Sequence, residues 1–194
     1  RYSGLRYLSV ARAGPWKLFT KDKLTSFDDL KGMKIRAPEI EGVIAGLKQV
    51  GAKPTVIPFN ELYGALQQGV VDGMATLGNL MISQKFYEVT NYCYQNDWGI
   101  GLDKQMINVN AWDGLSKEQQ SILVDTFNEL EPEDFFRATA DAESTNFAKW
   151  REINGEDSTP MLDASAAQRT LKPAIKNLTD DIFGAGTYDK IQSA

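Results

Sequence analysis

Met33-Lys34-Ile35-Arg36-Ala37-Pro38 reads as a short strand stopped by a proline, which cannot donate to a ladder. Ile40, Val43, Ile44, Leu47 and Val50 then recur at helical spacing over residues 39–50, and Gly51 closes that helix. Residues 54–59 read as the next strand. Asn60 is expected to cap a helix over 61–68 that ends at Gly69, and Val70-Val71-Asp72-Gly73-Met74-Ala75 is a third strand-like run. A helix over 80–89 is expected to follow. This alternation implies α/β units with short crossovers and a largely parallel sheet. Ligands of such sheets sit outside the carboxyl ends of the strands. Arg36, Phe59 and Thr76 all lie at or just past those ends.

On the N-terminal side, residues 5–24 read as two extended segments around Gly14-Pro15. Ser26 stands three residues before Asp29, the spacing of an N-capped helical turn, and Gly32 ends it. On the C-terminal side, residues 91–96 and 104–110 are extended candidates, and Trp112 is expected to open a long helix. Ser116 caps this stretch, with Glu118 and Gln119 in the first turn and Ile122, Leu123, Phe127 and Leu130 as a buried stripe. Pro132 either breaks the helix or starts a new one. A second helical run over 133–153 carries Phe135, Phe136, Ala140, Phe147 and Trp150, and the tail reads as two helices, 165–171 and 174–183. The expected organisation is an α/β ligand-binding portion over 33–110, followed by long and C-terminal helices over 116–194.

Composition narrows the function. With 194 residues, 42% of them hydrophobic and 24% charged, the chain can bury a real core. Twenty-one Lys and Arg against 26 Asp and Glu leave a net charge of −5, which argues against a nucleic-acid partner. There is no histidine, so neither a Ser-His-Asp relay nor a His-ligated zinc site can form. A lone cysteine, Cys93, excludes an internal disulfide. Glu129, Glu131, Glu133 and Asp134 form an acidic run without the ligand spacing of a calcium loop, so it reads as a solvated charge cluster. No metal and no cofactor is expected. Residues 1–8 lack the apolar region of a signal peptide. The abrupt start, without Met, suggests material upstream.

The run Asp28-Asp29-Leu30-Lys31-Gly32-Met33-Lys34-Ile35-Arg36-Ala37-Pro38 resembles the "DLKGxKIRxP" signature of the TRAP-transporter solute-binding proteins, the DctP-like family. Gly51-Ala52-Lys53-Pro54 resembles that family's "GAxP". The stretch from Phe59-Asn60-Glu61-Leu62-Tyr63 to Val71-Asp72-Gly73 is similar to "FxEvYxALQqGvVDG", and Lys85-Phe86-Tyr87-Glu88-Val89 to "KFYEV". Trp112 and the residues from Leu115 to Gln120 resemble a "W..L..E.Q" block. The blocks keep the family's order and spacing between Leu24 and Gln120. The resemblance implies a two-lobed α/β fold of the periplasmic-binding-protein kind, with a long helix bracing the lobes and the first lobe incomplete here. It implies a periplasmic protein, not an enzyme, that closes on a small organic acid and delivers it to TRAP permease membrane subunits.

The same resemblance assigns roles. Arg36 falls at the arginine that pairs with a substrate carboxylate, where a planar guanidinium matches both oxygens and lysine does not. On its own, an arginine at a strand end reads as a surface residue. Phe59 falls at an aromatic cleft position, although such a ring equally suits a core. Thr76 stands where acid-binding relatives often carry asparagine, and Asn79 lies three residues on. Trp16 stands near a second arginine of sialate-type relatives, and a one-residue slip would put Lys17 there instead. Trp98 has room to project beside Gly99 and Gly101, or packs at the hinge. Asp97 and Asp103 either orient Arg36 and ligand hydroxyls or are solvated. An aromatic wall of Trp16, Phe59 and Trp98 around one cation is expected to favour a small monocarboxylate over sialic acid or C4-dicarboxylates. The rival classes are an acid/base enzyme using Asp72, Asp97 or Glu88, and a ligand-sensing module.

Overall fold

The computed structural model describes residues 4–129 and 132–193, without the side chains of 132–136, 164 and 167. Leu130 and Glu131, and the side chains of Glu133, Asp134, Phe135 and Phe136, therefore lie outside the described residues.

Strands β1 (Leu5–Thr20), β2 (Lys34–Ala37), β3 (Lys53–Val56), β4 (Gly73–Leu77), β5 (Tyr92–Cys93) and β6 (Ile100–Asn108) alternate with helices α1 (Glu41–Gln49) and α2 (Leu62–Gln67). Helices α3 (Val109–Asp113), α4 (Lys117–Glu129), α5 (Pro132–Asn154), α6 (Ala164–Phe183) and α7 (Thr187–Gln192) follow. The strands run in the order β3-β2-β4-β1-β5, with β6 on the other half of β1. Parallel pairing is confined to β3-β2-β4, the part built by crossover helices. β1 enters antiparallel to β4, β5 and β6.

β1 is one strand serving two ladders. Residues Leu5 to Pro15 pair with β6, and Trp16 to Thr20 pair with β4 and β5. The two extended segments expected around Gly14-Pro15 are thus continuous. The break shows up as a register shift between Arg12 and Gly14, where Gly14 has φ +106.

Each face of the sheet packs its own core. Leu18, Ile35, Ala37 and Ala75 point to one side, against Leu47, Val50 and Tyr94. Phe19 and Met74 point to the other, against Leu62, Leu66, Phe86, Phe147 and Trp150. The α5 face of β1 is closed by the indole of Trp150, fully buried and edge-on to Phe19 at 5.5 Å.

Other elements differ from the sequence reading for identifiable reasons. The expected helix over 80–89 is two 3-10 turns, Gly78–Leu80 and Phe86–Glu88, because Lys85 takes a left-handed φ of 54 that helical backbone excludes. The strand over 54–59 ends at Val56, since Pro58 leads into a 3-10 turn at Phe59–Glu61, and Asn60 caps nothing. The two tail helices are one, with Pro173 inside α6. Packing of α6 on α1, where Leu171 approaches Gly46, holds it together. Trp112 sits in the separate α3, capped by the Asn108 side chain, which accepts from Asn110 N at 2.8 Å. Ser116 and Gln119 bond each other's backbone N–H, as the cap spacing predicts. The stripe expected on α4 is not buried: Ile122 is 57% exposed. On α5 Phe147 and Trp150 face inward as expected, joined by Thr139 and not by Ala140, which is exposed. No described helix is long and apolar enough to cross a membrane.

Candidate functional site

Arg36 is the third residue of β2, paired with Met74 in β4 and Thr55 in β3. Opposed residues share a face, so Arg36 points to the side of Met74, Phe19, Thr76 and Lys17. It is only 3% exposed, and that burial lowers its pKa. Arg36 Nε donates to Ile57 O at 3.0 Å and Nη1 to Ala75 O at 3.2 Å. A guanidinium has five N–H donors, so three are left without a partner among the described residues. No described carboxylate pairs with it. The result is a buried cation fixed by two main-chain carbonyls, with donor capacity to spare.

Thr76 lies beside it on β4, 2% exposed, and its hydroxyl makes no hydrogen bond among the described residues. Phe59 follows β3 at the same end of the sheet. It is 44% exposed and meets Phe86 edge-on at 6.3 Å. Arg36, Thr76 and Phe59 are thus brought to one end and one face.

Lys17 lies opposite Thr76 on that face, but it is not available as an anion ligand. Its ammonium, 4% exposed, donates to Gln95 O at 2.8 Å and pairs with Asp97 Oδ1 at 2.5 Å and Glu143 Oε1 at 3.1 Å. Three donors meet three acceptors. Asp97 therefore serves Lys17 and not Arg36. Asp103, on β6 opposite Ala11, is exposed and remote from β2. Asn79 turns its amide to Ala13 O at 3.3 Å, leaving its buried Oδ1 unpartnered among the described residues.

Trp16 and Trp98 are not brought to Arg36. Trp16 sits opposite Leu77, on the face of Leu18 and Ala75, and exchanges backbone hydrogen bonds with Trp98 and Gly99. Trp98 packs edge-on to Phe27 at 5.9 Å. It lines a cavity of about 660 Å³ with Asp97, Leu171, Lys172 and Tyr188, on the side opposite Arg36. The continuous aromatic wall expected from the sequence is split between two faces. The carboxylates proposed for acid/base chemistry are engaged. Asp72 accepts from Lys34 N at 2.8 Å, Asp97 holds Lys17, and Glu88 accepts from the Tyr63 hydroxyl. Among the described residues no group of three or more acidic or thiol side chains is placed to hold a metal.

Glu143 escaped the sequence reading. Burial raises its pKa, with Lys17 opposing the shift. Its signal was an acid on the inward stripe of α5, spaced with Thr139, Phe147 and Trp150 at i, i+4 and i+7 intervals.

The arrangement is thus a mixed sheet with a buried, donor-rich cation at its strand ends and a long helix strapped across two ladders. The sequence profile of the bacterial extracellular solute-binding protein family 7, DctP, matches residues 1–181, and the chain belongs to that family. It is similar to the C4-dicarboxylate-binding periplasmic protein DctP of Rhodobacter capsulatus, with 31% identity over 88% of this chain and 51% of that protein. It is also similar to the ectoine/5-hydroxyectoine-binding periplasmic protein UehA of Ruegeria pomeroyi, with 32% identity over 62% of this chain and 35% of that protein. Among solved structures it superposes on a TRAP periplasmic solute-binding protein from Desulfovibrio salexigens with bound orotic acid. The TM-score is 0.86 and the identity 26%, covering 97% of this chain and 61% of that one. The chain thus spans 51% and 35% of the length of these two relatives, and its fold is the α/β fold of the two-lobed TRAP solute-binding proteins.

Proposed function

We propose that this chain is the ligand-holding part of a periplasmic TRAP solute-binding protein that captures a small organic acid and delivers it to the membrane permease. Arg36 holds the carboxylate, Thr76 adds a hydroxyl, and Phe59 flanks the ligand body. The observation that carries the reading is the Arg36 guanidinium, 3% exposed, with two carbonyl partners and, among the described residues, no carboxylate and three unused donors. A buried charge of this kind is costly unless an anion joins it. An entering carboxylate accepts two parallel N–H bonds from it, in a setting dry enough for them to be strong. Support also comes from the relatives, since C4-dicarboxylates and orotic acid are acids by name.

The charge count refines the ligand. Lys17 is saturated, so these residues offer one cation, not two, and suit a monocarboxylate with a planar or apolar body. A thermal-shift panel of acids at matched concentration tests this, because a ligand that binds only the native state raises Tm by mass action. The expected outcome is a rise with planar or apolar monocarboxylates and little with their amides. Equal shifts from acid and amide would exclude the arginine–carboxylate pair, and a larger shift from C4-dicarboxylates would exclude the single-cation reading.

A further inference from the structure

The change of ladder along β1 falls among three glycines. Gly14 on one strand and Gly99 and Gly101 on the facing segment surround the point where Pro15 and Trp16 leave one ladder and enter the other. Gly14 and Gly99 have φ of +106 and +147, values that L side chains rarely adopt. Gly101 is close-packed instead, since a Cβ there would stand 2.7 Å from the Leu77 Cδ2 methyl and 3.3 Å from both Gly14 O and the Trp16 ring nitrogen. Gly14 and Gly99, at one level, leave the backbone free to bend there.

One element crosses this level. α5 has 23 residues, a rod of about 34 Å at 1.5 Å per residue. Thr139 lies against Gly14 below the junction, with its Cβ 3.8 Å from where a Gly14 Cβ would be. Phe147 and Trp150 pack in the core above it. Between them stands Glu143, whose Oε1 reaches Lys17 at 3.1 Å. Asn146 Nδ2 adds a bond to Asn79 O at 2.9 Å. The fit at this level is tight, because a Cβ on Gly78 would come within 3.0 Å of both Glu143 Oε2 and the Lys17 chain. Glu143 Oε2 is buried without a partner among the described residues.

The Lys17 ammonium therefore fastens three segments at this level: β1 itself, α5 through Glu143, and the 95–97 segment through Gln95 O and Asp97. We propose that Lys17 and Glu143 are positioning residues, a latch that holds the two ladders of β1 at one relative orientation by clamping α5 and the 95–97 segment to the strand just above its glycine pivot. The latch sets how the end of the sheet bearing Arg36 and Thr76 faces the β1–β6 ribbon. Its bearing on ligand capture rests on the solute-binding reading, but its mechanical action does not.

The burial of the pair makes the idea separable from plain stability. Replacing a buried ion pair by apolar side chains often leaves stability unchanged or raises it. It removes the directional bonds all the same. The experiment is a spin-label distance measurement, without ligand, between Lys53→Cys on the sheet edge and Lys104→Cys on the ribbon. Both sites are exposed, and Cys93 stays unlabelled because it is fully buried with its thiol pKa pushed well up. The protein with its latch intact is expected to give one narrow distance peak. In Lys17→Met/Glu143→Leu the peak broadens or splits while Tm stays near its starting value. Asp97→Asn, at a side chain 62% exposed, keeps the fold and broadens the peak to a lesser degree. An unchanged narrow peak in either folded variant overturns the latch. Because no ligand is present, that result would leave the Arg36 reading standing, and loss of acid binding elsewhere would leave the latch standing.

Discussion

Two cations, Arg36 and Lys17, are buried on the same face of one sheet, 3% and 4% exposed, and their surroundings are opposite. Lys17 meets two carboxylates and a carbonyl that use every donor it has. Among the described residues Arg36 meets two carbonyls and no acid, and keeps three donors unspent. One charge is thus compensated by internal carboxylates and the other is not. On the two proposals made above, the first is a fastener and the second a binding group. Residue type alone would not tell them apart, since both are basic residues within strands.

The comparison breaks most sharply under truncation. Lys17→Met strands the mostly buried Glu143 carboxylate, which should cost about 3–5 kcal/mol in urea unfolding. Arg36→Met removes two bonds to carbonyls but also a charge that burial disfavours, and should cost less, about 1–2 kcal/mol in the same measurement. Equal losses would show that Arg36 is compensated after all.

A smaller effect follows from Glu143→Gln, which keeps an acceptor for Lys17 but removes the charge; a loss of about 1–2 kcal/mol is expected. Burial raises the Glu143 pKa, so in the window above the ordinary glutamate value the native state holds a proton that the unfolded chain has released. Stability should therefore fall as pH rises through that window. In Glu143→Gln this part of the slope should vanish; chemical denaturation at a series of pH values reads it directly. A slope of the opposite sign would mean that Lys17 outweighs burial at this carboxyl.

Thr76→Val sharpens the binding side with the smallest effect. The hydroxyl has no hydrogen-bond partner among the described residues, so stability should hold, while acid binding weakens by about 0.5–1.5 kcal/mol in calorimetry. Unchanged affinity would remove Thr76 from the site.

Much of the α/β scaffold was legible because it is local. The β2–α1–β3–α2–β4 run announces itself by apolar spacing and by Gly51 and Gly69 at helix ends, and the Ser116–Gln119 cap by its three-residue interval. Arg36 stands out by its motif and its strand end, and the structure buries it there with donors to spare. The Lys17–Glu143 contact was hidden, since a pairing between the first strand and the fifth helix leaves no periodic trace. The aromatic wall failed for a related reason. Along β1 alternate residues face opposite sides, so whether Trp16 or Lys17 lies beside Thr76 depends on a single residue of register. Counting from motifs left that slip open, and the β1–β4 ladder pairs Lys17 with Thr76. The helix over 80–89 failed locally instead, at the left-handed Lys85.

The most direct measurement is calorimetric titration of the protein and of Arg36→Lys with the monocarboxylate that gives the largest thermal shift. Lysine keeps the charge but not the planar pair of donors. If Arg36 is the anion anchor, affinity should fall about 30-fold or more, with Tm of the unliganded protein little changed. Equal affinity in Arg36→Lys and the parent protein would contradict the account, because the buried guanidinium would then have no carboxylate to hold.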